Sequence, residues 1–328
     1  MQKVIGRKTQ TSVPAEGRVG EQPAEQKSWL KKHGITLLIV AALIIGVCIM
    51  LYPTVANYWN SFHQSRAIST YMENVTAMQP EEYDELIAKA RDYNRKLAQS
   101  GLKWHLTAEE KAEYEAELDF TKTGIMGYIQ IDKIRQMIPV YHGTSESVLQ
   151  TSIGHLEGTS LPVGCESFDR RTGELDDPTE CNHIVVSGHR GLPSAKLFSD
   201  LDKLTEGDTF TFTVLSETYT YEVDQIRIVL PEDLSSITLE PGKDYCTLVT
   251  CTPYGINTHR LLVRGHRVGN INGDGNVVAD ALQIDRLYVV PFLAIPILAI
   301  LLVILIIIVA NRKRRKRIRE EAEQQLKT

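Results

Sequence analysis

The chain has 328 residues, 43% of them hydrophobic, which suits one large domain or two small ones. Its formal charge of −5 conceals an asymmetry: residues 1–34 carry seven basic and three acidic side chains and residues 311–328 eight and three, leaving 21 basic against 35 acidic between them. So acidic a middle segment argues against a nucleic-acid partner, and the basic C-terminal end suits a lipid-headgroup anchor.

The first 26 residues are polar and read as disordered. Residues 35–52, "ITLLIVAALIIGVCIMLY", are uncharged and long enough to cross a hydrocarbon core of ~30 Å as a helix. The stretch begins some thirty residues in and no small-residue cleavage site follows it, so it reads as an uncleaved anchor. Residues 288–310 form a second uncharged run of twenty-three. Lys27, Lys31 and Lys32 precede the first run, and the block Arg312 to Arg317 follows the second. The positive-inside rule then predicts cytoplasmic tails at 1–34 and 311–328, two transmembrane helices, and everything between them outside the cell membrane.

Helical periodicity runs over 61–121. Ile68, Tyr71, Met72, Val75 and Met78 share one face; Tyr83, Leu86, Ile87, Ala90, Tyr93 and Leu97 share another. Pro80, Glu81 and Glu82 suit a first helical turn, and "TAEE" from Thr107 fits a capping box. From Met126 the pattern changes to short β-branched and aromatic runs: "MGYIQI", "MIPVYHG", "HIVVSGH", "TFTFTVL", "YTYEVDQIRIVL", "YCTLVTC" and "RLLVRGHRV". Gly, Pro, Asp and Asn separate them, which predicts an all-β barrel or sandwich ending near Val268. The predicted division is an extracytoplasmic helical or lid region over 53–122, a β catalytic domain over 123–269 and a linker over 270–287. In that linker "NINGDGNVVAD" resembles a calcium loop, with Asn270, Asn272 and Asp274 as oxygen ligands and Gly275 at the turn. The place of the bidentate acid is taken by Ala281, with Asp280 one residue early, so a turn-rich linker is the preferred reading.

Five cysteines remain to be assigned. Cys48 sits in the first apolar run as a small filler. Cys165 and Cys181 bracket the polar insertion "ESFDRRTGELDDPTE", where an extracytoplasmic disulfide would close the loop. Cys246 lies within a strand. Cys251 differs, because it ends a strand and the loop "TPYGIN" follows, so its thiol can face a cleft. A nucleophilic thiol needs a proton partner and a donor for the charge that builds on the attacked carbonyl. Arg260 opens the next strand, and in an antiparallel pair joined by a loop the two strand mouths are neighbours. Among nine histidines, His189 stands on a strand-to-loop edge and His259 is its rival. Adjacent strand residues point to opposite faces, so His259 and Arg260 cannot share a cleft, and spacing alone prefers His189.

"TLVTC" followed by "HRLLVRG" resembles the sortase signature, and "SGHRGLPSAKLFSDLDKL" and "GHLEGTSLPVG" resemble the class C, pilus-assembling members in particular, over residues 126–268. The resemblance implies a closed sortase-type β-barrel with its cleft at the strand ends. It implies Cys251 as nucleophile, His189 as general acid/base, Arg260 as oxyanion and substrate-positioning residue, and Thr250 in the substrate groove. The implied reaction is that of a cysteine transpeptidase, of the hydrolase class, on a Gram-positive cell surface. It cleaves an LPxTG-like sorting signal between Thr and Gly and passes the acyl group to a lysine amine of another pilin subunit, without metal or cofactor. Many class C members carry an Asp-Pro-aromatic lid upstream of the barrel; residues 98–124 lack one, and Trp104 is the candidate substitute. Two other readings are a sortase that attaches surface proteins to peptidoglycan and, without catalysis, a membrane-tethered adhesin or pilus subunit. The second apolar run argues against the first; the absence of a sorting signal ahead of Tyr288 argues against the second.

Overall fold

In a computed structural model of the protein, the described residues are 24–270 and scattered positions between 300 and 324. The chain divides into two units, residues 1–48 and 49–328. Among the described residues one helix, α1 (Ala24–Ala77), is long and apolar enough to cross a membrane. Leu43, Ile45, Ile49 and Met50 on it are all exposed, as the first apolar run requires. The predicted second span and most of the candidate calcium loop lie outside the described residues. Asn270, the first of the expected calcium ligands, is described. Its amide accepts from the Thr220 hydroxyl and donates to the Thr218 carbonyl, so it ties the chain to a strand.

The helical faces read from the sequence are the faces that pack. Ile68, Tyr71 and Val75 of α1 are buried. The Tyr71 hydroxyl donates to the Met126 carbonyl at 2.9 Å and accepts from the Leu215 amide at 2.7 Å, which fastens the helix to the barrel. The next helix, α2 (Pro80–Ser100), opens on Pro80 with Glu81 and Glu82 in its first turn and buries Ile87, Ala90 and Leu97. Its Asn94 side chain both donates to the Leu161 carbonyl and accepts from the Leu161 amide. The short α3 (Ala108–Ala116) has the reciprocal Thr107–Glu110 capping box, satisfying two amides that the helix itself cannot.

Eight strands close the barrel. In chain order they are β1 (Ile125–Ile131), β2 (Gln136–His142), β3 (Ile153–His155), β6 (Cys181–Ser187), β7 (Thr209–Val214), β8 (Glu217–Val229), β9 (Lys243–Thr252) and β10 (His259–Val268). Around the barrel the order is β1-β2-β3-β6-β9-β10-β8-β7. A four-residue helix, α4 (Glu146–Leu149), connects β2 and β3. Two pairings, β2 with β3 and β6 with β9, are parallel and the rest antiparallel. The core is the inner face of this barrel plus the packed helices, with Ile129, Ile138, Phe198, Phe210, Phe212 and Leu248 fully buried. Each such side chain contributes about 1.5–3 kcal/mol through removal from water.

The polar insertion folds as a small hairpin, β4 (Phe168–Asp169) with β5 (Glu174–Leu175). It rests on a buried ion pair between β9 and β10: Asp244 accepts from Arg267 at 3.2 Å, from the Cys165 amide at 3.1 Å and from the Tyr221 hydroxyl at 3.2 Å. The Arg267 guanidinium lies over the rings of Phe168 and Tyr219. Cys165 and Cys181, the expected bridge, are both buried free thiols here and line one cavity of about 470 Å³ beside α2. Burial pushes both thiols up from the ordinary cysteine range.

Candidate active site at the ends of three neighbouring strands

Register pairs two of the three predicted residues and brings the loop that carries the third to the same end of the barrel. On the antiparallel side Cys251 of β9 is directly paired with Arg260 of β10. The six-residue loop between β9 and β10 closes this pair, so a separation of nine in sequence becomes a cross-strand contact. On the parallel side Ser187 of β6 pairs with Val249, and the Gly188 amide donates to the Val249 carbonyl at 3.0 Å. β6 ends at Ser187, and His189 follows two residues later on the loop that leaves it. Neighbouring strands lie ~4.8 Å apart, so Cys251 and Arg260 share one edge of the barrel, and the parallel pairing of β6 with β9 puts the start of the His189 loop beside them. His259 pairs with Thr252 instead, one residue out of phase and on the other face; its ring nitrogen meets the neighbouring Thr258 hydroxyl.

Exposure separates the cysteines in the same way. Cys165, Cys181 and Cys246 are buried while Cys251 is partly open to solvent. Burial drives the Cys246 thiol far up, which leaves it protonated and inert. Two other barrel histidines, His155 and His183, are buried. His155 contacts the Tyr114 hydroxyl and the Ser160 carbonyl, and burial lowers it to about 4. His183 sits between the Thr238 carbonyl and the Thr247 hydroxyl and is likewise lowered to about 4 by burial. His142 bonds to the Gly124 and Glu117 carbonyls.

The strand ends are held by local contacts that the amino-acid pattern does not announce. Gly188 stands where a Cβ would meet Ile153 at 2.6 Å and Phe198 at 2.7 Å, so only glycine lets this strand end lie against the core. Arg190, 8% exposed in its side chain, binds Asp202 at 2.5 Å and donates to the Thr252 hydroxyl at 3.2 Å. It thereby joins the loop after His189 to the strand end that carries Cys251. Thr250 was expected to line the substrate groove. It is instead 1% exposed, and its hydroxyl donates to the Gly188 carbonyl at 2.7 Å. That contact ties the cysteine strand to the histidine strand from inside. Helix α1 holds the flanking loops: Asn57 accepts from the Lys196 amide, and Asn60 and Gln64 donate to the Thr151 carbonyl.

Trp104, the expected plug, is 37% exposed. The Lys103 amide beside it donates to the Gly158 carbonyl at 3.0 Å. Leu156 and Ser160 bond to Val185 and His183, so Gly158 runs alongside the middle of β6. Gly158 allows the approach, because a Cβ there would lie 1.8 Å from the Lys103 oxygen. The sequence reading missed Arg190, Asp202 and Thr252; the adjacency of Arg190 to His189 was the available signal. Among the described residues no group of three or more His, Cys, Asp or Glu could hold a metal ion.

Comparison with known proteins agrees with this geometry. The model of the family described as "Sortase domain" matches residues 129–268. The chain is similar to sortase C1 from Streptococcus agalactiae, 56% identical, covering 62% of this chain and 99% of that one with a TM-score of 0.57. It is also similar to sortase C from Streptococcus pneumoniae, 40% identical over 62% of this chain and 97% of that one, TM-score 0.51. Among curated proteins, sortase D of Bacillus subtilis is 29% identical over 165 residues, 49% of this chain and 71% of that protein.

Proposed function

The chain belongs to the sortase family and is a cysteine transpeptidase with class C structural neighbours; from that premise we propose that Cys251, His189 and Arg260 are its catalytic residues and that it joins pilin subunits. The observation that supports the assignment is the direct pairing of Cys251 with Arg260 on β9 and β10, with the parallel pairing of β6 and β9 bringing the loop that carries His189 to the same end of the barrel. The Cys251 thiolate attacks the Thr–Gly carbonyl of an LPxTG-like sorting signal. Arg260 is paired with Cys251 across β9 and β10, and in this reading its guanidinium turns from the Asn257 and His259 carbonyls to meet the oxyanion of the tetrahedral intermediate. As that intermediate collapses, the C–N bond breaks and His189 gives its proton to the departing glycine amine. A thioester to Cys251 remains. A lysine amine then attacks the thioester, His189 takes the proton from that amine, and an isopeptide bond forms as the sulfur leaves.

The pilin reading draws on the similarity to the S. pneumoniae sortase C, a structure described as giving insights into catalysis and pilin substrate specificity. In this reading residues 35–52 anchor the enzyme and 288–310 form a second span, leaving the catalytic barrel over 123–269 outside the membrane and both tails inside. The exposed apolar surface of α1 supports the first anchor. Two substitutions test the catalytic reading. Cys251→Ala should abolish transfer of an LPxTG peptide to a lysine-bearing acceptor, and His189→Ala should slow it by at least ~10²-fold. Full transfer by the Cys251→Ala protein would end the proposal.

A further inference from the structure

The imidazole of His189 has a neighbour that the three-residue scheme leaves out. Its Nε2 is buried and has no hydrogen-bond partner, a state that ordinarily costs free energy. The Oε2 atom of Glu146, in the first turn of α4, lies 3.9 Å from that nitrogen. The other carboxylate oxygen, Oε1, accepts a hydrogen bond from the Gln150 side chain one turn on. The carboxylate is therefore oriented by one partner and aimed at the other. The α4–β3 segment is itself fixed, since Asn60 and Gln64 of α1 both donate to the Thr151 carbonyl.

The other charged groups at this edge are engaged elsewhere. Arg190, next in sequence, is committed to Asp202 and Thr252. On β10, the Arg260 guanidinium donates to the Asn257 and His259 carbonyls. Cys251 approaches from β9. Glu146 alone among these groups can accept a hydrogen bond at the outer side of the ring, and its side chain is 72% exposed, free to move the ~1 Å that a full hydrogen bond requires. Catalytic hydrogen bonds are often long without substrate and tighten with it.

We propose that Glu146 is a positioning residue for His189. Its carboxylate accepts the Nε2–H bond, which leaves Nδ1 as the nitrogen presented to the sulfur and to the departing amine. The carboxylate stays ionised throughout. It stabilises the imidazolium that forms when His189 takes a proton, and it takes none itself. The inference rests on His189 being the general acid/base.

The test uses the full-length protein with an LPxTG peptide and an amine acceptor, comparing wild type, Glu146→Gln, Glu146→Asp, Gln150→Leu and His189→Ala. Glu146→Gln should lower kcat roughly 3- to 10-fold with KM unchanged. Glu146→Asp should recover part of that loss, and Gln150→Leu should reproduce part of it. Because a charge is at work, the ratio of wild type to Glu146→Gln should shrink between ~0.05 M and ~1 M salt. An unchanged kcat in Glu146→Gln overturns the inference, as does a loss that salt does not alter and Asp does not restore, or a loss confined to KM. His189→Ala separates the two levels. An inactive His189→Ala beside a fully active Glu146→Gln removes only the role of Glu146, whereas an active His189→Ala removes the catalytic assignment beneath it.

Discussion

Thr250→Val tests how the site is held together. The Thr250 hydroxyl is buried and donates to the Gly188 carbonyl at 2.7 Å. Valine keeps the shape but removes the donor, leaving a buried carbonyl without that bond at a cost of about 1–3 kcal/mol. For a unit of this size each kcal/mol shifts Tm by roughly 2–4 °C, so the variant should melt about 2–12 °C lower. The tie also holds the ends of β6 and β9 level, where His189 and Cys251 stand. Loosening it should lower kcat while KM stays near its wild-type value. Thermal scans and peptide kinetics on the full-length protein in detergent read both quantities, and Thr250→Ser, which keeps the hydroxyl, should recover most of each. A Thr250→Val protein with wild-type Tm and a raised KM would refute the reasoning and return Thr250 to the groove wall.

Acid should weaken the fold through His155 and His183, which burial lowers to about 4. The unfolded chain protonates these imidazoles near ~6.5, so their contribution is complete above that pH and is lost as pH falls toward about 4; Tm should drop between pH 7.5 and 5, and a flat profile would contradict the burial argument. Asp244→Ala should destabilise by about 3–5 kcal/mol, read as a lower urea midpoint, because it strands the buried Arg267 without its partner. That ion pair joins β9 to β10 at the far end of both strands from Cys251, so activity per folded molecule should hold; a wild-type midpoint would count against it.

Much of this was legible in the sequence where a single periodicity decides. The period-two runs became the barrel strands, and the apolar faces around Tyr71 and Ile87 became the packed sides of α1 and α2. Cys251 and Arg260 were readable as neighbours because a short loop sets the register of an antiparallel pair. His189 was harder, since what brings its loop to the Cys251 end of the barrel is a parallel pairing between strands some sixty residues apart, which local pattern does not encode. Thr250 shows where resemblance outran physics. The alternation that separates His259 from Arg260 applies equally to Thr250 and Cys251, and it sends the threonine inward. Glu146 carried no signal at all: it is one acidic residue in a four-residue helix, and only the closed barrel brings it to His189.

The most direct measurement is tandem mass spectrometry of the full-length enzyme trapped with an LPxTG peptide and no acceptor amine. The account predicts one thioester, cut after the threonine of the peptide and mapped to Cys251. An adduct on Cys165, Cys181 or Cys246, or turnover with no thioester on any cysteine, would contradict it.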